Sequence, residues 1–362
     1  MTTAHRVVVL GAGYAGLSAA RQAAKAKGVR VTVIDARPEL VERVRLHQAL
    51  TGQEIARWDL GELLERKGIE FVQARVRTID TAERVVRLEG DWSVSYDSLI
   101  YALGSHADTS AVPGATEYAY PIATPEDVAR IPALSGSVAV VGGGSTGIET
   151  ATELAEARPD LEVHLVSAEE PGAWLSPKAH KHIRAVLDRL GVRVHSGAKV
   201  AAVTARGLEL VDGTQLPAET VLWTTGFAVP AVAADSGLAV DARGRVLVDA
   251  ELRSRSHPEI YVAGDAAVVA GPAERDLRMA CATALPTGKY AATALTARLA
   301  GKTPAPWSFR YHLQCISLGR RDGVVQFVRA DDSPARTVLT GRTGAWVKEQ
   351  IVNGAIRMAA KP

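Results

Sequence analysis

The stretch Val7-Val8-Val9-Leu10-Gly11-Ala12-Gly13-Tyr14-Ala15-Gly16-Leu17 leaves the chain few ways to fold. Four apolar β-formers, three glycines at fixed spacing and then Leu17, Ala20 and Ala24 at helical spacing describe a strand, a tight turn and a helix. The turn calls for glycine because side chains there would hold the backbone away from a diphosphate. Such a group rests on the amides and the positive dipole end of the helix. Gly28 stops the helix, residues 31–34 give a second strand, and Asp35 closes it nineteen residues after Gly16, where an acid meets an adenosine ribose. A second unit repeats the pattern. A strand at 138–141 runs into Gly142-Gly143-Gly144-Ser145-Thr146-Gly147, a helix to about Ala157 and a strand at 163–166. Ser167 stands where the first unit has Asp35. Glu169 and Glu170 follow with no arginine beside them in sequence, which disfavours a 2′-phosphate and leans to NADH, with the choice between NADH and NADPH left open.

With 362 residues and 47% hydrophobic content, the chain suits two or three domains with real cores. Its 42 basic and 40 acidic residues are spread along the chain, so no footprint for nucleic acid is expected. Two cysteines, Cys281 and Cys315, rule out a disulfide framework and fit a reducing compartment. Residues 1–6 are too short and polar for a signal peptide, and no apolar run approaches the roughly 20 residues of a spanning helix, so a cytoplasmic protein is expected.

Residues 36–57 lack periodicity, and in them His47 and Gln48 interrupt an apolar run, either lying along a cofactor or spacing helix turns. Asp59 caps a helix ending at Gly68, and 69–72, 85–88 and 92–96 read as a meander. Two buried strands end on small residues where backbone passes close to a nucleotide, one at Ala102 and Gly104, the other at Gly226. A third delivers Gly264-Asp265. Pro113-Gly114, Pro121 and Pro125 mark a domain crossing. Ser176-Pro177 opens a helix that Gly191 ends, with Lys178, Lys181 and Arg184 on a solvated face. Residues 278–288 lead into a helix to about Leu299 whose first amides can stabilise negative charge. Strands near 315–318, 324–328 and 337–340 and a helix over 345–359 complete the chain. In that helix Val347, Ile351, Val352, Ala355, Ile356 and Ala359 share a face. Docking on the protein is the simpler use of that face, while Arg342, Lys348, Arg357 and Lys361 keep open a peripheral membrane contact.

Gly11 to Gly16 with Asp35, Ala102-Leu103-Gly104, the glycines of 142–147 followed by Glu149, Thr224-Thr225-Gly226 and Val262-Ala263-Gly264-Asp265 together resemble the two-dinucleotide-binding-domain flavoproteins of the pyridine nucleotide-disulfide oxidoreductase superfamily. Within it the chain is similar to type II NADH:quinone oxidoreductases and apoptosis-inducing-factor-like NAD(P)H oxidoreductases. The resemblance implies an α/β fold of two Rossmann-like domains with parallel sheets and β-meanders, plus a small C-terminal α+β domain. FAD would occupy 1–110 and 248–308, NAD(P)H 111–247, and the C-terminal part 309–362. Gly11, Gly13, Ala15, Gly16, Asp35, Ala102, Gly104, Gly264, Asp265, Cys281 and Ala282 would meet FAD. Gly142, Gly144, Gly147, Ser167 and Gly226 would meet NAD(P)H. Glu149, in the first turn of its helix, would hold the nicotinamide amide and so serve catalysis. His47, Gln48 and Pro286 fall on the acceptor side. No metal is implied. The expected reaction passes hydride from nicotinamide to flavin N5 and then electrons to a small-molecule acceptor, quinone-like or another metabolite. A redox-sensing protein and a flavin-dependent tailoring enzyme are the alternatives. The chain departs from the pattern in three ways. It has no cysteine pair where the disulfide reductases place one, the run 281–288 lacks both glutamines of the quinone-facing segment, and His47 replaces an aromatic residue.

Overall fold

The computed structural model describes residues 4–360. The first apolar strand, His5–Leu10, sits mid-sheet in a five-stranded parallel sheet in the order Ile260–Val262, Ser98–Tyr101, His5–Leu10, Val29–Asp35, Glu70–Gln73. Helices cover both faces of such a sheet, which is why its strands read as unbroken apolar runs rather than alternating ones. The second unit repeats the arrangement around Ser137–Val141, flanked by Glu162–Ser167 and Thr220–Trp223, with Arg193–Ser196 and Ala119–Pro121 at the edges. Each sheet carries a three-stranded meander: Val76–Asp80, Val85–Leu88, Ser93–Ser95 in the first and Val200–Thr204, Gly207–Leu210, Gln215–Pro217 in the second. The strand expected at 69–72 therefore belongs to the parallel sheet, and Val76–Asp80 takes its place in the meander. Strands of two residues, His106–Ala107 and Phe227–Ala228, pair antiparallel where the chain crosses between the units.

Two boundaries differ from the sequence expectation. Ala233, Leu238 and Val246 are buried in the first core, so the return to the FAD-type unit begins well before residue 248. The C-terminal part is not a separate body. Its sheet, Leu313–Ser317, Gly323–Val328 and Pro334–Leu339, sends Ile316, Leu318, Val324 and Val338 into the second core. Its helix Gly341–Ala360 sends Ala355, Ile356 and Ala359 into the first. The helix thus docks on protein along most of the expected face, although Val347 and Ile351 are only half-buried. Of its expected surface cations, Arg342 and Arg357 are exposed but Lys348 is 8% exposed. Lys361 lies outside the described residues. Trp346 stands out at 65% exposure, and among the described residues no helix is long and apolar enough to cross a membrane.

Candidate active site between the two nucleotide units

The two glycine turns have the same steric design. A Cβ on Gly16 would fall 1.8 Å from the Gly11 carbonyl oxygen, and one on Gly147 would fall 1.7 Å from that of Gly142. A Cβ on Gly11 would meet the Ala102 oxygen at 2.4 Å, which is why the returning strand ends on a small residue. By contrast a Cβ on Gly13 or Gly144 would have nothing within 4 Å. Those middle glycines precede helices Tyr14–Ala23 and Ser145–Ala157 and open onto free space, the cradle a diphosphate needs. Gly11 and Gly142, and Gly104 and Gly226 on the facing strands, have positive φ. Ala15 is wedged between other backbone segments. A Cβ on Gly264 would lie 3.0 Å from its own Cβ, and one on Gly288 would lie 2.0 Å from its carbonyl oxygen.

At the first cradle Asp35 Oδ2 accepts from the Ala12 amide at 2.7 Å and Oδ1 from the Arg37 amide at 2.9 Å. The acid therefore shapes the turn at whose edge the sequence places it. Replacing it with alanine is expected to weaken FAD by about 1.5–3 kcal/mol, the range of a charge-assisted bond. Flavin retained at 450 nm after repeated dilution measures it, and retention equal to the parent would remove Asp35 from the site.

Sequence reasoning missed Arg43. Its Nη1 donates to Ser105 O at 2.9 Å and to Ser105 Oγ at 3.0 Å, and Ser105 Oγ donates to Asp265 Oδ2 at 2.6 Å. Its Nη2 is buried with no partner among the described residues. A guanidinium with a buried, orphaned donor, tied through Ser105 to Asp265, fits the anionic backbone of FAD. Arg43 lies in the stretch without periodicity, so only the arginine itself, in a run meant to border a cofactor, signalled it.

The acceptor helix runs Cys281–Leu299, with Ala282 exposed and Cys281 half-buried at its first positions. Pro286 lies one turn inside the helix, where Ser18 Oγ donates to the neighbouring Leu285 carbonyl at 2.8 Å. Burial pushes both thiols up, that of Cys315 to about 12, so neither is a thiolate near neutrality.

Glu149 and His47, read separately from the sequence, meet in one buried cluster. Glu149 Oε1 accepts from Lys348 Nζ and from the Ser317 amide at 3.1 Å, with Ser317 Oγ at 3.4 Å. Ser317 Oγ also receives Lys348 Nζ at 3.1 Å and lies 3.4 Å from His47 Nε2. Glu149, His47 and Lys348 are each 8% exposed or less. Burial pulls the Lys348 ammonium down to about 7, with the Arg45 charge as a second cause. Burial, then Lys348, Arg320 and Arg45, holds His47 well below its ordinary value, so its imidazole is neutral at physiological pH. The helix begins at Ser145, which puts Glu149 beyond the first turn expected for it and weakens any pull from the helix dipole. It is one of three acids at helical spacing that face the C-terminal part. Glu153 binds Arg320 at 2.7 Å, and Glu156 accepts from the Arg320 amide at 2.6 Å. Gln48 is buried beside His47, 3.4 Å from Arg45 Nη1. Arg45 in turn bridges Glu42 at 2.9 Å and Glu349 at 2.6 Å. The three acceptor-side residues are thus divided: His47 and Gln48 adjoin the second core through Leu46, whereas Leu285, beside Pro286, packs on the first.

At the second unit Ser167 Oγ accepts from the Glu169 amide at 3.3 Å and blocks any side chain at Gly143. The fold brings in an arginine the sequence does not show nearby. Arg184 reaches Glu170 at 3.0 Å, so that acid is already neutralised and Arg184 is not simply solvated.

Residues 5–288 match the family described as pyridine nucleotide-disulphide oxidoreductase. The chain belongs to that family. An NADH dehydrogenase-like protein of Mycobacterium tuberculosis is 33% identical over 316 residues, covering 79% of this chain and 78% of that one. A type II NADH:quinone oxidoreductase of Staphylococcus aureus is 27% identical over 394 residues, covering 97% and 95%. The NDH2 of Plasmodium falciparum in complex with NADH superposes with a TM-score of 0.83 at 14% identity, over 99% of this chain and 96% of that one, which shows the shared fold. As a pyridine nucleotide-disulphide oxidoreductase the protein is an enzyme that uses FAD and NAD(P)H.

Proposed function

We propose that the protein oxidises NAD(P)H and delivers the electrons to a quinone-like small molecule. FAD, when bound, supplies the two-electron carrier between the two substrates. Gly11, Gly13, Gly16, Asp35, Arg43 and Asp265 hold it, and the open turn at Gly142, Gly144 and Gly147 holds the coenzyme. Glu149 has Oε2 free of hydrogen bonds among the described residues, so it can accept from the nicotinamide amide while Lys348 and Ser317 fix its other oxygen.

The observation that carries the acceptor is the buried Lys348–Glu149–Ser317 cluster. Reducing a quinone consumes protons as well as electrons. Lys348 Nζ, ionising near 7 at the junction of both units and the C-terminal helix, is a proton donor built into the chain. A disulfide acceptor would instead need a thiolate, and burial holds both cysteines protonated. The names of the Mycobacterium and Staphylococcus relatives support the same reading. Exposed Trp346, Arg342 and Arg357 on the C-terminal helix suit contact with a membrane surface where such acceptors reside.

The test is to reduce the purified protein anaerobically with NADH and mix it with a short-chain quinone, a disulfide and oxygen in turn. Fast return of the flavin band with the quinone alone is expected; return with the disulfide alone overturns the proposal. Quinone reduction should also slow as pH rises through about 7, when Lys348 loses its proton. A rate flat from pH 6 to 9 counts against that role for Lys348. NADH should serve at least as well as NADPH, since Arg184, which the fold sets beside the Ser167 strand end, is already held by Glu170. Flavin bleaching that strongly favours NADPH contradicts this.

A further inference from the structure

A cleft of about 610 Å³ lies over the second glycine turn, a volume in the range of small-molecule sites. It is lined by Gly144 and Ser145, the start of the second nucleotide helix, and by Arg275 and Arg278, just before the helix Cys281–Leu299. The C-terminal sheet and Trp174 close the remaining sides. Arg278 is held rigidly. Its Nε lies 2.5 Å from Asp332 Oδ2 and its Nη2 3.0 Å from Oδ1, and its guanidinium carbon lies 4.8 Å over the Tyr311 ring. Asp332 also accepts from Gln314 Nε2 at 3.0 Å, and Gln314 Oε1 from Trp174 Nε1 at 3.0 Å, which ties the cleft's rims together. Asp331 is turned onto its own loop, accepting from the Ser333 amide at 3.1 Å and hydroxyl at 2.6 Å. Both acids are therefore satisfied by neighbours. Arg275 is exposed and makes no ion pair among the described residues. Arg278 also lines the small hollow beside Gly264 and Asp265, so it stands between the two nucleotide sites.

From this geometry we infer that Arg275 and Arg278 grip the phosphates of the nicotinamide dinucleotide together with the glycine turn; the inference rests on the coenzyme site proposed above. The planar fork of Arg278, fixed along one edge by Asp332, keeps its remaining N–H groups for a phosphate oxygen. The Gly142–Gly147 turn offers amides from one side only, so the arginines complete the cation shell and orient the dinucleotide along the cleft. Asp332 is a positioning residue: it touches Arg278, not the coenzyme.

The experiment measures ADP-ribose binding to the FAD-loaded protein by calorimetry and flavin reduction by two donors, NADH and the phosphate-free 1-benzyl-1,4-dihydronicotinamide. Arg278→Gln should weaken ADP-ribose roughly tenfold or more, Arg275→Gln less, and both should flatten the dependence of affinity on salt. Arg278→Lys, which keeps the charge without the fork, should fall between. All three should lose far less with the phosphate-free donor than with NADH. Unchanged ADP-ribose affinity overturns the inference, and so does an equal loss with both donors, because a merely structural role would act on both. If NADH fails to reduce the parent protein, the proposed function falls, while ADP-ribose affinity still decides the role of the arginines.

Discussion

Gly147→Ala should leave a yellow protein that NADH barely reduces. The added methyl would sit 1.7 Å from the Gly142 carbonyl oxygen and 2.8 Å from Thr224 Oγ1. Neither can give way easily: the first is backbone inside the turn, and the second donates to the Val141 carbonyl at 2.8 Å. The turn must open, at a local cost of about 1–3 kcal/mol. Opening also turns the helix amides from the phosphates, each such charge-assisted bond contributing about 1.5–3 kcal/mol. A fall in NADH affinity of roughly a hundredfold or more is expected from losing two of them. FAD should stay, because its own cradle lies in a different sheet. Gly16→Ala is the reciprocal case, with its methyl 1.8 Å from the Gly11 oxygen, and should give colourless or poorly folded protein. Flavin absorbance together with bleaching by NADH separates the two, and parent-like bleaching in Gly147→Ala would show that the second turn is not the coenzyme cradle.

Lys348→Met should destabilise the fold by about 3–5 kcal/mol, because it leaves the 8%-exposed Glu149 carboxylate without its cation. The double variant Lys348→Met/Glu149→Gln removes both charges and should recover most of the loss. Chemical denaturation of the parent, the single and the double variant measures this. Equal stability of the single and double variants would mean that the pair is not coupled.

The glycine turns, the central strands of both parallel sheets and the small residues at Ala102 and Gly226 were legible because each is fixed by local sterics or by short-range apolar pattern. The candidate cluster was only half legible. Glu149 drew notice through its spacing from Gly147, and His47 through its place in an apolar run. Lys348 read as a surface charge, because nothing local reveals that its helix packs over Glu149 and Ser317. Arg43 was hidden because its partners, Ser105 and Asp265, arrive from distant strands. Glu170 looked like a free charge until the fold set Arg184 against it. The domain limit near 248 moved for a related reason: 233–247 carries apolar residues that could serve either core, and only the packing assigns them to the first.

The central claim is that FAD accepts its electrons from NAD(P)H without a redox part for Cys281 or Cys315. Anaerobic titration of the oxidised protein with NADH, followed at 450 nm, tests it most directly. The expected result is complete bleaching with one equivalent of NADH per FAD, unchanged in Cys281→Ser/Cys315→Ser. A flavin that NADH leaves oxidised, or one that bleaches fully only after a second equivalent that the double serine variant no longer requires, would contradict it.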